Sequence, residues 1–239
     1  MRTLLAALLL SLAVPAFASF SDFQTLVRPE NIKPFALDVG GVLGAASVDT
    51  GRPWGFPGFE AGLVSGMQFR PDRDDAIMRG ANIKAFGVPL LQAGVGLPLN
   101  TSIVVHGLSV GGVSILGGGA RYTLFKAPAV GSLLPTVGVS AFGDEIHHRY
   151  FKGDHFAGNA SVGWNLAVLT PFAAVGYDVT KIEATSAATA GVVGMSAWAR
   201  GTRVALGTDI TPLPLLRLRA AYQLLHGLPG ATLDLLFKF

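Results

Sequence analysis

The densest group of titratable side chains is GDEIHHRYFKGDH, residues 143–155, which brings together Asp144, Glu145, His147, His148, Asp154 and His155. Carboxylates beside imidazoles make acid–base pairs, and the same groups can hold a divalent cation. The plainer reading is a polar loop. On that reading no residue is assigned to catalysis or to a metal, and no cofactor is implied. A second candidate is GRPWGFPGFEAG, residues 51–62. Trp54, Phe56 and Phe59 could clamp an apolar ligand, but such aromatics more often mark a membrane-interface belt. The run Gly117-Gly118-Gly119 is not a phosphate loop, because no Lys-Ser/Thr pair opening a helix follows it.

The elements that carry these residues read as strands. In 228–239, Leu233, Leu235, Phe237 and Phe239 share one face, and Thr232, Asp234 and Lys238 the other. In 216–224, leucines, Ala220 and Tyr222 oppose Arg217, Arg219, Ala221 and Gln223. Period-two alternation continues upstream through 173–180, 160–168, 137–141, 116–124, 59–69 and 37–45. Around 197–209 it weakens, because Arg200 falls on the face of Trp198, Val204 and Leu206. A long cationic side chain at a membrane edge can snorkel there.

Hydrophobic residues make up 50% of the 239 and charged residues only 14%, with a mean hydropathy of +0.49. No stretch reads well as a membrane helix. The best candidate, Ile103 to Ala120, holds six glycines and a histidine, and each glycine costs a helix about 1 kcal/mol against alanine. The second face of the alternating segments is built from Gly, Ala, Ser and Asn rather than Lys and Glu. That suits the inside of a narrow barrel better than the wet face of a sandwich.

Residues 1–18, MRTLLAALLLSLAVPAFA, have a basic start, an apolar stretch too short to span a bilayer, and Ala16-Phe17-Ala18. They read as a Sec-type signal cleaved near Ala18. The chain has no cysteine, so burial and backbone hydrogen bonds alone must hold it. Its net charge of +3 is scattered, and nucleic acid is not an expected partner.

The ending ATLDLLFKF resembles the C-terminal signature of bacterial outer-membrane β-barrel proteins. The resemblance implies that the last strand closes the barrel against the first. It also implies that Leu233, Leu235, Phe237 and Phe239 are recognised by the barrel-assembly machinery, and that outer-membrane lipid surrounds the wall. The expected fold is a closed antiparallel transmembrane β-barrel of about 12 strands, with 10 the main alternative. It occupies residues 36–239, behind a short periplasmic N-terminal segment, 19–35, with helical spacing at Phe20, Phe23, Leu26 and Val27. About eleven strands can be counted. The parity requires either that 103–125 divides or that 81–98 hides a strand. Turns at 127–135, 169–171 and 211–214 belong at the periplasmic end. Loops at 71–84, 147–155, 185–195 and 227–230 belong outside.

Inside such a barrel the expected charges are Asp38, Glu60, Arg70, Arg121, Asp178, Arg203, Asp209, Arg217, Arg219 and Asp234. An unpaired buried charge is expensive, so these should pair across the interior; alternatively the arginines line a path for small anions. The expected function is a non-enzymatic, porin-like outer-membrane barrel, structural or passing small solutes, apolar ones included. The alternatives are a hydrolase using the histidines of 147–155, or a surface adhesin acting through its outer loops.

Overall fold

Alternation of small or polar residues with large apolar ones produces ten strands that close on themselves. The computed structural model describes residues 20–239, and the signal segment 1–18 lies outside them. The strands are β1 (Phe59–Gln68), β2 (Phe86–Leu97), β3 (Thr101–Val110), β4 (Val113–Phe125), β5 (Thr136–His148), β6 (Phe151–Gly163), β7 (Leu169–Ala184), β8 (Ser196–Leu213), β9 (Leu216–Leu225) and β10 (Leu228–Lys238). Each pairs antiparallel with its sequence neighbour, and β10 returns to β1.

The final residue is part of the seam. Phe239 donates its amide to the Phe59 carbonyl at 2.8 Å, and Phe59 donates back at 3.1 Å. The β1–β10 register runs from Glu60 opposite Lys238 to Gln68 opposite Gly230. Midway, side chains bridge the seam. The Ser65 amide donates to Asp234 Oδ1 at 3.0 Å, and the Ser65 hydroxyl donates to the Leu233 carbonyl at 2.6 Å. Closure leaves no unpaired sheet edge, the requirement for a sheet in hydrocarbon.

Leu91, Val105, Leu116, Phe156, Val175 and Leu206 face outward and are each more than half exposed. An apolar band of this extent suits lipid rather than water. Outward charges gather beyond it, at Glu145, Lys152, Asp154, Lys181 and Glu183, where the Lys181 ammonium lies 5.8 Å from the Trp198 ring.

The strand expected at 37–45 is a helix. Helix α1 (Phe23–Leu26) and helix α2 (Ile32–Ala46) precede the barrel, so the wall begins at Phe59 and not at residue 36. Nearly all of α2 is buried within the lumen, against β1, β7 and β8. With every side covered it carries no polar stripe, and its Leu37/Val39/Leu43/Ala45 spacing imitates a strand. The closed barrel has ten strands, the count held as the main alternative to about twelve. Both parity repairs hold: 81–98 contains β2, and 103–125 divides at Gly111-Gly112, whose φ values of 60° and 82° turn the hairpin.

The barrel has two unlike ends. The near end carries the C-terminus. The far end carries the 69–85 loop with helix α3 (Ala76–Gly80), the 185–195 loop and the turns at 149–150 and 226–227. Residues 20–31 sit at the far end, where the Ala188 amide donates to the Gln24 carbonyl at 2.8 Å. If the C-terminus is periplasmic, this segment is not. Aromatic packing anchors it there: Phe23 and Phe35 rings lie 4.9 and 5.2 Å from Phe151. The 147–155 stretch is a β5–β6 hairpin with a tight turn, not a long loop. Trp164 to Val168 form the β6–β7 turn rather than a strand end.

Glycines set how closely α2 can lie on the wall. A side chain at Gly66 of β1 would collide with the Val42 backbone carbonyl of α2. Gly66→Val is therefore expected to destabilise the protein by about 2 kcal/mol or more. Gly158→Ala, where a methyl meets nothing within 4 Å, should leave the unfolding midpoint in micelles unchanged.

Candidate functional site: the filled lumen

Inward-facing residues form three layers. The near-end layer centres on Arg219 of β9. Its Nε lies 2.7 Å from Asp209 Oδ1 and its Nη1 lies 3.2 Å from Asp234 Oδ2. Nη1 also donates to the Val48 carbonyl, just past α2. Arg217 Nη2 lies 2.6 Å from Glu60. Arg121 pairs with Asp49 at 3.0 Å, with its guanidinium 5.1 Å from the Trp54 ring and 5.4 Å from Phe142. Trp54 thus lies inside the lumen, packed with Val104, Phe142 and Ala157, and not on an outer belt.

The middle layer is a chain of imidazoles and carboxylates. His106 Nε2 lies 2.5 Å from Asp144 Oδ1, and Asp144 Oδ2 lies 2.8 Å from His155 Nδ1. His155 Nε2 is 3.4 Å from Asp178 Oδ1, and Arg203 Nε donates to Asp178 Oδ2 at 2.6 Å. Arg203 Nη2 reaches Asn159 Oδ1 at 2.8 Å, and Asn159 donates to Ser47 and Ser140 hydroxyls. His226 bends in from the β9–β10 turn to within 3.6 Å of Asp178. Helix α2 lies on this layer by its glycines: Gly40 faces Thr180 and His155, Gly41 faces Gln68 and His226, and Gly44 faces the Asp178–Arg203 pair. The Ala45 carbonyl at the end of α2 accepts from Gln223 at 3.1 Å and from Thr232 at 3.0 Å, which satisfies a group the helix leaves open.

The far-end layer is apolar. Phe86, Leu90, Ile115, Ile146, Phe151, Ile182 and Leu225 are buried there with Phe23, Phe35 and Val42. Between α2 and the β2–β5 wall a cavity of about 50 Å³ remains, lined by Val39, Val42, Met78, Val88, Leu108, Val113, Ile115 and Ile146 among others. No side chain in its lining carries a hydrogen-bonding group.

Eight of the ten expected lumen charges are wall residues that face inward and find opposite partners. Two are placed otherwise. Asp38 is inside the lumen but on α2, accepting from Gln68 Nε2 at 2.7 Å and from the Asp72 amide at 2.8 Å. Arg70 lies past the end of β1 and is exposed. The acid–histidine cluster of 143–155 is divided by the wall. Asp144 and His155 are buried inside, whereas Glu145 and His147 face outward, 3.6 Å apart. His148 packs on Phe151 at the mouth. Among the described residues no group of three or more His, Cys, Asp or Glu is placed to hold a metal ion. Sequence reasoning missed His106, Asp49, Asn159 and His226. Period two does place His106 on the face of Val104 and Leu108, but Asp49 and His226 sit in connections with no period.

No protein-family model matches the chain, and no curated protein matches it significantly. Solved structures similar to it include the N-terminal β-barrel domain of Pseudomonas aeruginosa OprF, at 12% identity over 77% of this chain and 98% of that one, with a TM-score of 0.39. Ail of Yersinia pestis matches at 10% identity, over 77% and 100% of the two chains, with a TM-score of 0.31. Neisserial surface protein A matches at 9%, over 76% and 95%, with a TM-score of 0.30. At these values the barrel described above rests on its own strand register.

Two outcomes are expected. Arg219→Met leaves Asp234 buried without its cation and Asp209 with only Arg217, at 3.6 Å, which should cost about 3 kcal/mol in micelle unfolding. In the 69–85 loop, burial pushes the Asp75 carboxyl up to about 6, although the Met78 amide, the neighbouring Asp38 carboxyl and the Ile77 amide partly oppose the rise by hydrogen bonding. Unfolded, that carboxyl ionises near pH 4, so the folded loop holds its proton longer. The group's stabilising contribution is complete below about pH 4 and is lost as pH rises through about 6. Hydrogen exchange at Ile77 and Met78, corrected for intrinsic rate, should accelerate over that window; Asp75→Asn should flatten the response.

Proposed function

We propose that this chain is a non-enzymatic bacterial outer-membrane β-barrel, exported by a cleaved signal and closed by its own N-terminal helix. In its plugged state it holds, and on plug displacement passes, small apolar solutes. The seam at Phe239, the apolar outward band and the signal-like start support the location. With the C-terminus periplasmic, the far end faces outward.

The observation that carries the solute reading is the far-end layer. Val88, Leu108 and Val113 face inward and are only partly covered, beside a cavity without a polar side chain. A barrel built only as a scaffold gains by burying such side chains fully, at about 25 cal/mol per Å². A hydrated ion meets the opposite conditions: α2 occupies the lumen, and the charges below it are paired with one another. A cavity of this size takes a few methylene groups, and Met78 in its wall is an adaptable lining residue.

In planar bilayers the purified protein should show no steady ohmic current at neutral pH. Octanol should bind it in neutral micelles, and Ile115→Glu should weaken that binding at least tenfold. Steady currents from the wild type, or octanol binding indifferent to Ile115→Glu, would contradict the proposal.

A further inference from the structure

The far-end mouth carries a charge arrangement that the rest of the lumen avoids. Below it, cations pair with carboxylates. At the mouth, Arg70, Arg73, Arg79 and Lys84 surround an open concavity of about 730 Å³, with Asp72 as its one carboxylate. Among the described residues, their one ion pair joins Arg73 to Asp74 at 3.9 Å, with both side chains largely exposed. The Asp72 carboxylate is turned toward the Asp74 amide, from which it accepts at 2.8 Å.

The loop that holds these cations is well tied. Asp38 of α2 accepts from the Asp72 amide at 2.8 Å, and Gln68 donates to the Arg70 carbonyl at 2.9 Å. Arg79 Nη1 donates to the Arg73 carbonyl at 2.8 Å. A scaffold that gathers four like charges around one concavity spends electrostatic energy unless an anion fills it. The loop backbone and the Arg79 guanidinium are held in place before any ligand arrives, which lowers the entropic cost of binding.

We propose that this concavity is a binding site for a soluble phosphate ester or polyphosphate. Four cations against Asp72 and the Asp74 paired with Arg73 leave a charge of +2, which a multiply ionised phosphate group complements. Guanidinium forks match phosphate oxygens in pairs. The volume falls in the range of small-molecule sites and exceeds what a single inorganic phosphate fills. The site opens toward the mouth rather than the lipid. Leu228 lines it and pairs across strands with the inward-facing, fully buried Leu225, so it belongs to the inward row of β10. A free solute therefore fits better than a lipid headgroup. This inference is independent of the apolar-solute reading, and either can fail alone.

The test is titration calorimetry of the full chain in neutral micelles at low salt. Tripolyphosphate is the probe, with inorganic phosphate and micelle-borne phosphatidic acid as comparison arms. Tripolyphosphate should bind at one site, at least tenfold tighter than inorganic phosphate, and more weakly as salt is added. The Arg70→Glu/Lys84→Glu pair should lose at least tenfold with an unchanged unfolding midpoint, because both side chains are exposed. Arg149→Glu, at another far-end turn, should leave the affinity unaltered. Equal loss in Arg149→Glu would mean diffuse charge attraction and would overturn the site. Wild-type affinity in the double variant, or binding of phosphatidic acid without tripolyphosphate, would overturn it as well.

Discussion

Everything inside this protein follows from the scarcity of water in a ten-stranded lumen. An aqueous channel would let charged side chains hydrate, and their pairing would matter little. Here the interior is narrow enough for one helix to fill it, so each inward-facing charge needs a partner of opposite sign or a backbone group within reach. Arg219 illustrates this, held by Asp209, Asp234 and the Val48 carbonyl. Its third partner belongs to the segment leaving the helix. The plug is therefore part of the charge balance as well as a filler of space.

The same constraint explains the position of the glycines. Helix α2 must touch the wall closely enough to exclude water, and it does so where the wall carries its most polar groups. Gly44 against Asp178–Arg203 and Gly41 against His226 bring helix backbone onto these groups. The C-terminal end of the helix is satisfied from the wall, through Gln223 and Thr232 on the Ala45 carbonyl. Farther along, the contact changes from polar to apolar, and the fit loosens into the small cavity beside Val88 and Leu108. A tight polar collar and a looser apolar mouth are what one would expect of a plug anchored at one level and adaptable at another.

How legible this was in the sequence depended on whether a segment has two different environments. Strands between lipid and lumen do, so alternation placed Glu60, Arg121, Asp178, Arg203, Asp209, Arg217, Arg219 and Asp234 on the inward face; the seam at the last strand came from the resemblance of its ending to outer-membrane barrels. Helix α2 has a single environment, buried on all sides. A helix covered all round loses its amphipathic period, and chance spacing at Leu37, Val39, Leu43 and Ala45 then read as a strand. That error gave Asp38 the right compartment on the wrong element, and it placed the start of the wall too early. The 143–155 hairpin misled for a different reason. Its strands run past the lipid band, so the outward row becomes Glu145, His147, Lys152 and Asp154, and the whole stretch looks like a polar loop. Asp144 and His155 of the lumen relay were hidden within that pattern.

The central claim is that the N-terminal segment crosses the lumen and emerges at the end opposite the C-terminus. The natural chain has no cysteine, so a single introduced thiol reports its own position. Thr25→Cys lies in the exposed part of α1, and Leu133→Cys lies in the 126–135 connection at the near end. With the protein in the outer membrane of intact cells, a bulky membrane-impermeant maleimide should label Thr25→Cys and leave Leu133→Cys unmodified until the membrane is permeabilised. The reverse pattern, with Thr25→Cys protected in intact cells and Leu133→Cys labelled, would contradict the account.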